Sequence, residues 1–155
     1  PSVSRRGADA GHEIGSHTCI HANLSSCSAA RIQSELSKTK NAIVRATGKA
    51  PTLLRPPYGN HTATVRNLAG VPLILWNVDT EDWKNKSADA IAQHILSHSW
   101  DGAVILMHDI YGNTAEAVEK AVPALLARGV RLVTVSELAA AKGTTLSAGR
   151  AYHGF

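Results

Sequence analysis

Aromatic residues are scarce: three Trp, three Tyr and one Phe make up 5% of the 155 residues. No basic stripe is interleaved with them, and the sixteen Lys and Arg, for a net charge of +4, are scattered. Both absences argue against a nucleic-acid partner. No apolar run approaches the roughly 20 residues that cross a bilayer, so no membrane span is expected. The chain begins with Pro1 and lacks a basic stretch followed by an apolar one. No signal peptide is visible, and the sequence reads as a processed or truncated product. Cysteine is limited to Cys19 and Cys27, eight residues apart around a turn. They either close a small disulfide loop in an oxidising compartment or remain two free thiols; spacing alone does not choose. With 44% hydrophobic and 18% charged residues, the chain suffices for one domain with a real core.

Short apolar runs alternate with helical periodicities. Ser28 to Thr47 reads as a helix, with Ile32, Leu36, Ile43 and Ala46 near one face and Gly48 and Pro51 as the stop. Leu53-Leu54 runs into a Pro-Pro turn. Thr62 to Ala69 reads as a short helix ended by Gly70, and Leu73 to Val78 as a buried strand. Ser87 caps a helix reaching about Ser99, and Ala103 to His108 is a second strand. Asn113 or Thr114 opens the next helix, with Val118, Val122, Leu125 and Leu126 inward and Gly129 at its end. Val130 to Val135 reads as a third strand, and Ser136 as the cap of a helix to Ala141. Residues 142–155, rich in Gly, Ser, Thr and Ala, read as a flexible tail.

This alternation predicts an α/β fold with a parallel sheet and helices outside. Five strand-helix units can be counted if Glu13 to Ser16 is the first. Five suffice for an open doubly wound sheet. A closed barrel takes about eight, which would leave its first two or three units outside these residues. In either architecture ligands bind at the C-terminal ends of the strands. His17, Arg55, Asp79 and His108 all fall there.

Each of these positions has chemistry around it. His17 and His21 have the spacing of two ligands to one ion, and neutral imidazole suits zinc and similar borderline metals; two polar loop histidines are the plainer alternative. His12-Glu13 and His17 do not form a zincin motif, because the spacing is one residue too long and Gly15 breaks the helix it needs. His94 and His98 read as a solvated helix face. In Arg55-Pro56-Pro57-Tyr58-Gly59 two prolines fix φ and remove two donors. That leaves the Tyr58 N–H on a stiff turn, where it suits an oxyanion, while Arg55 suits a carboxylate. Asp79-Thr80-Glu81-Asp82-Trp83 follows a strand, so Asp79 is placed to pair with a cation, and Trp83 offers a face for a sugar ring. Alternation puts Leu106 and His108 on one face of their strand, an apolar contact beside a general acid.

In order and spacing, Gly15-Ser16-His17-Thr18-x-x-His21, Arg55-Pro56-Pro57-Tyr58-Gly59, Asp79-x-x-Asp82-Trp83 and Leu106-x-His108-Asp109 resemble the motifs of the NodB-type polysaccharide deacetylases, carbohydrate esterase family 4. The resemblance covers residues 8 to 140. It implies a distorted (β/α) barrel, with residues 1–141 as the C-terminal part of the NodB homology domain and 142–155 as the tail. It implies metal-dependent hydrolysis of acetyl groups from a polysaccharide: an N-acetylglucosamine polymer such as chitin or peptidoglycan, or acetylated xylan. His17 and His21 would bind the metal, most simply Zn2+, with Co2+ or Ni2+ as alternatives. The Tyr58 N–H would hold the oxyanion beside Pro57, and His108 would protonate the leaving group. Arg55 would orient the catalytic base, Asp79 would tune His108, Trp83 would wall the groove, and Leu106 would line the acetyl-methyl pocket.

One motif of the family is missing. Its Thr-Phe-Asp-Asp-Gly supplies the base and the third metal ligand, yet the aspartates here are Asp9, Asp79, Asp82, Asp89, Asp101 and Asp109, with no adjacent pair. The chain therefore reads as an incomplete catalytic domain of a secreted or cell-surface enzyme, expected to be inactive or nearly so alone. A missing N-terminal segment, or a separate polypeptide, would supply the Asp pair. The rival reading is a non-catalytic carbohydrate-binding remnant.

Overall fold

A computed structural model describes residues 2–84 and 86–155. In chain order its regular elements are helices α1 (Ser2–Asp9), α2 (Ala29–Thr47) and α3 (Ala63–Ala69), strands β1 (Leu73–Ile74) and β2 (Val78–Asp79), helix α4 (Ala88–His98), strand β3 (Ile105–Leu106), helices α5 (Gly112–Ala127) and α6 (Val135–Ala141), and strand β4 (Ala151–Tyr152). They fall into two compact units. One comprises the chain up to Leu75 together with Thr134–Tyr152; the other comprises Trp76–Val133 and His153–Phe155.

The first unit is built on parallel chain segments. β1 pairs with β4 in the register Leu73↔Ala151 and Ile74↔Tyr152. Leu54 bridges Leu73 on one side and Ser16 on the other, also in parallel. This row of short segments is closed by Ser16 N–H to Leu53 O at 2.8 Å, Arg55 N–H to Ser16 O at 2.9 Å and Ile74 N–H to Leu54 O at 2.8 Å. Beneath it, Leu24, Ile32, Leu54, Val65 and Leu73 form a core of residues at most 1% exposed. Each fully buried aliphatic chain contributes roughly 1.5–3 kcal/mol. The covering helices start and stop as the sequence predicts. Ser28 Oγ accepts from Arg31 N–H at 3.3 Å, and Gly48, with φ 81°, closes α2; Thr62 and Gly70 do the same for α3.

The second unit pairs β2 with β3, in parallel, as Val78↔Ile105 and Asp79↔Leu106. Its core is the seam between α4 and α5. Ala88, Ile91, Ala92 and Ile95 meet Ala117, Ala121 and Leu125, with Ile105 and Met107 packed against them. Alanine on both helices lets the backbones approach closely. Because Ile105 and Met107 face this seam, the alternation of a strand directs Leu106 and His108 to its other face.

Several expectations need correction. Residues 142–155 are not a free tail: β4 lies within them, and Leu73 N–H and Leu75 N–H donate to Arg150 O and Tyr152 O, both at 2.8 Å. Gly, Ser and Thr describe the turn before β4, whereas main-chain pairing holds the strand itself. Val130 to Val135 forms no strand among the described residues. Leu132 and Val133 are 50% and 41% exposed, and β-branched composition makes a strand only where a neighbour pairs with it. The cap of α6 is Thr134 rather than Ser136: its hydroxyl accepts from Glu137 N–H while the Glu137 carboxylate accepts from Thr134 N–H, a reciprocal box. Helix α5 starts at Gly112, ahead of Asn113 and Thr114. The sequence reading also missed α1. Both cysteines are free thiols.

Candidate active site

In the first unit, His17, His21, Arg55 and Tyr58 come together. The His17 and His21 rings lie 4.9 Å apart, edge to face at 71°, and the His21 and Tyr58 rings are 4.8 Å apart at 73°. His17 Nδ1 is 2.6 Å from Arg55 O. A carbonyl oxygen only accepts, so Nδ1 carries the proton and Nε2 presents its lone pair. A bond of this kind fixes the tautomer and orientation of an imidazole. Both histidines are exposed. The loop carrying them is tight, with φ 65° at Thr18 and 57° at His21.

Arg55 reaches the end of β1, where Nε donates to Ile74 O at 3.2 Å and an Nη to Leu75 O at 3.0 Å. Burial draws its pKa below the ordinary arginine value, and a guanidinium remains charged all the same. The Pro-Pro turn is as stiff as expected. Tyr58 sits at φ 61°, ψ 6°, a conformation costing an L residue roughly 1–2 kcal/mol. The donors after it are engaged, Gly59 N–H with Pro56 O and Asn60 N–H with Pro57 O. Pro57 is less than 2% exposed. It braces the turn that carries Tyr58.

In the second unit, the carboxylate that meets His108 is Asp82, not Asp79. Asp82 is 1% exposed, and its Oδ1 accepts from His108 Nδ1 at 2.8 Å. Its Oδ2 accepts from the His108 backbone N–H at 2.7 Å and from the Thr114 hydroxyl at 2.8 Å. Burial pushes the Asp82 carboxyl up; the hydrogen bonds from His108 and Thr114 and the charge on the imidazole outweigh it, so the carboxyl lies below its ordinary 3.8. Asp79 instead accepts from Glu81 N–H at 2.9 Å, a local turn bond. The bond to Asp82 leaves His108 Nε2 as the outward nitrogen. Tyr111 packs its ring 5.9 Å from His108, at 68°. Trp83 is 49% exposed with Lys84 Nζ 4.9 Å from its ring centre, and Leu106 is 7% exposed. Glu81 is drawn down to about 2 by hydrogen bonds from Lys84 and Lys86.

The sequence reading missed the part of Thr114 and gave Asp82's contact to Asp79. It also missed Glu35, a buried carboxylate on α2 that lies on the same helical face as Ile32 and Leu36. A charge inside an apolar stripe was the available signal.

The donors fit a divalent cation in kind, since His17 presents a fixed tautomer and His21 lies against it. They fit in number only as part of a site. Among the described residues no group of three His, Cys, Asp or Glu is close enough to hold a metal ion. Two buried hydroxyls flanking His17, Ser16 Oγ and Thr18 Oγ1, have no hydrogen-bond partner.

Residues 1–71 match the family model described as polysaccharide deacetylase. The chain is 37% identical over 152 residues to the peptidoglycan-N-acetylglucosamine deacetylase PgdA of Listeria monocytogenes, covering 98% of this chain and 32% of that protein. It superposes on a solved deacetylase with substrate at a TM-score of 0.92, with 41% identity, covering 98% of this chain and 75% of that one. The family 4 acetyl xylan esterase of Clostridium thermocellum, solved with a cobalt ion, gives a TM-score of 0.91 at 28% identity, covering 99% and 77%. The chain belongs to the polysaccharide deacetylase family. Its fold is that family's distorted (β/α) barrel in part, and it spans about a third of the length of the Listeria relative.

Proposed function

We propose that these residues, 1–141 extended by β4, are the C-terminal part of a metal-dependent deacetylase. It would act on an acetylated polysaccharide, peptidoglycan or chitin in the N-acetylglucosamine class or acetylated xylan, outside the cell or at its surface. The observation that carries the reading is the His17–His21 pair, with the His17 tautomer set by Arg55 O. Those two imidazoles are the ligands, and Zn2+ is the simplest ion for them, Co2+ the alternative with a precedent in a relative. When bound, the ion supplies Lewis acidity toward an acetyl carbonyl and a more acidic water.

The chain's own groups take the remaining roles. The Tyr58 N–H, held on its rigid turn, donates to the carbonyl oxygen as charge builds there. His108 Nε2 delivers a proton to the departing amine or alkoxide, and Asp82 holds the ring by Nδ1 so that Nε2 is the nitrogen presented. Trp83 offers its exposed face to a sugar ring, and Leu106 closes the floor beside the acetyl methyl. Arg55 fixes His17 through its carbonyl and reaches Ile74 and Leu75 with its guanidinium. The base and the third ligand are an Asp pair from polypeptide outside these residues.

Accordingly the isolated chain should turn over acetylated chito-oligosaccharides negligibly with Zn2+ or Co2+, and adding a segment with the Asp pair should restore turnover. Robust turnover by the chain alone would overturn the reading. The exposed Trp83 favours one rival, a carbohydrate-binding remnant, which would bind chitin or xylan without metal.

A further inference from the structure

The loop that presents His17 and His21 is held by a side chain outside every motif. Glu35 sits in α2 and is 1% exposed. Its Oε2 accepts the backbone N–H groups of Cys19 at 2.9 Å and Ile20 at 3.2 Å. Its Oε1 pairs with Arg31, one turn back on the helix, at 2.8 Å. Burial of a carboxylate is strongly unfavourable unless the charge is paired and hydrogen-bonded. Here both conditions are met, and both N–H groups come from the residues between the two histidines.

The loop needs such a partner. Thr18 and His21, on either side of Cys19 and Ile20, both have left-handed φ, a strained state that persists only when its surroundings over-determine it. Without an acceptor beneath them, the two N–H groups would turn to water. Thr18 and His21 could then relax to ordinary φ, and His21 would shift relative to His17. Arg31 neutralises the Glu35 charge, so the effect on the pair is one of geometry and not of long-range attraction.

We propose that Glu35 is a positioning residue for a divalent cation: through the Cys19 and Ile20 N–H groups it fixes the left-handed turn that sets the His17 and His21 imidazoles 4.9 Å apart. This rests on the reading of those two histidines as metal ligands. Glu35 thereby holds the loop with bonds made entirely within the chain.

The test is a Co2+ titration of the full 155-residue chain, read by paramagnetic broadening of the His17 and His21 ring protons. Amide hydrogen exchange at Cys19 and Ile20 is measured in parallel. Glu35→Leu, checked as folded by circular dichroism, should weaken Co2+ binding by about 10-fold or more, the range for lost outer-shell partners. It should also remove the protection of both amides. Glu35→Gln keeps an oxygen for the two N–H groups and should bind within about 3-fold of the unsubstituted chain, well below that outer-shell range. A stability loss alone would not change affinity in a folded population. If Glu35→Leu folds and binds Co2+ unchanged, or if Glu35→Gln is as weak as Glu35→Leu, the inference is overturned while the proposed function stands. If the unsubstituted chain binds no Co2+ at these histidines, the proposed function falls and takes the metal half of the inference with it. The amide exchange then decides whether Glu35 holds the loop. Should Glu35→Leu not fold, Glu35→Asp replaces it: the shorter arm keeps the charge but loses the reach, and unchanged affinity there also overturns the inference.

Discussion

Asp82→Asn keeps the shape of a buried side chain and removes its charge. The carboxylate accepts three hydrogen bonds, from His108 Nδ1, His108 N–H and the Thr114 hydroxyl. The amide has one oxygen. Turned toward the His108 N–H and Thr114, it keeps two bonds and confronts His108 Nδ1–H with its own NH2. A bond to a charged acceptor is worth about 1.5–3 kcal/mol and one to a neutral acceptor about 0.5–1.5 kcal/mol. Two weakened bonds at roughly 1 kcal/mol each and one lost at roughly 2 kcal/mol sum to about 4 kcal/mol. That falls in the range of about 3–5 kcal/mol for breaking a buried pair. Trp76, Trp83 and Trp100, the three tryptophans of the chain, lie in this unit. Urea unfolding followed by tryptophan fluorescence therefore reports on it selectively, and with a slope of about 1–3 kcal/mol per M the midpoint should fall by more than about 1 M. The pH dependence has a definite sign. The Asp82 carboxyl is depressed below 3.8 in the fold, so its stabilisation is fully present above 3.8 and is lost as pH falls through the lowered value. The gap between the two proteins should persist at pH 5 and shrink in stronger acid. A difference under about 1 kcal/mol at pH 5, where the summed bonds give about 4, would refute the reasoning, as would a gap that widens on acidification.

Arg55→Lys replaces a two-pronged donor by a single ammonium. One of the bonds to Ile74 O and Leu75 O is lost, about 2 kcal/mol, and the melting temperature measured by circular dichroism should fall by roughly 4–8 °C. An unchanged value would show that the guanidinium does not brace the end of β1. Ending the chain at Ser147 removes β4 and leaves Leu73 N–H and Leu75 N–H without their acceptors, at about 1–3 kcal/mol each. Limited proteolysis of the first unit should accelerate markedly, whereas a flexible tail would be removed without effect.

Helices were the most legible part of the fold, because their ends are written locally. Ser28, Thr62 and Ser87 cap as their side chains dictate, and Gly48 and Gly70 supply the left-handed turn that stops a helix. Strands were legible as apolar runs and not as paired segments. Val130–Val133 has the composition of a strand and no strand partner among the described residues, while Ala151–Tyr152 has little strand character, yet Tyr152 O and the preceding Arg150 O both accept from the β1 segment. Pairing is a property of the neighbour, and composition does not contain the neighbour. The same limit explains the run from Leu73 to Val78, a single strand by pattern. In the structure it divides into β1 and β2, which pair with different strands.

In each of the two clusters, the groups proposed to face a ligand were readable and those that hold them were not. His17, His21 and His108 sit in short motifs because the proposed chemistry demands a residue type at a fixed place, and Tyr58 stands out through the two prolines before it. Their supports lie far away in sequence: Asp82 is 26 residues from His108, Glu35 is 16 from Cys19, and the carbonyl of Arg55 is 38 from His17. Asp79 ends β2 and Asp82 follows three residues on, and nothing in the spacing Asp79-x-x-Asp82 says which is buried. Burial decides it. The side chain at 82 is sealed and satisfies three donors, whereas the one at 79 closes its own turn. A buried carboxylate with every oxygen committed marks what is being held in place, and Glu35 and Asp82 are two among the described residues, each beneath a histidine element. Asp82 acts on the His108 ring itself, so its loss is felt in that ring's orientation. Glu35 acts only through backbone N–H groups, so its loss is felt in the path of the loop. The two substitutions should therefore separate: Asp82→Asn perturbs His108 and leaves Co2+ binding at His17 and His21 unchanged, and Glu35→Leu does the reverse.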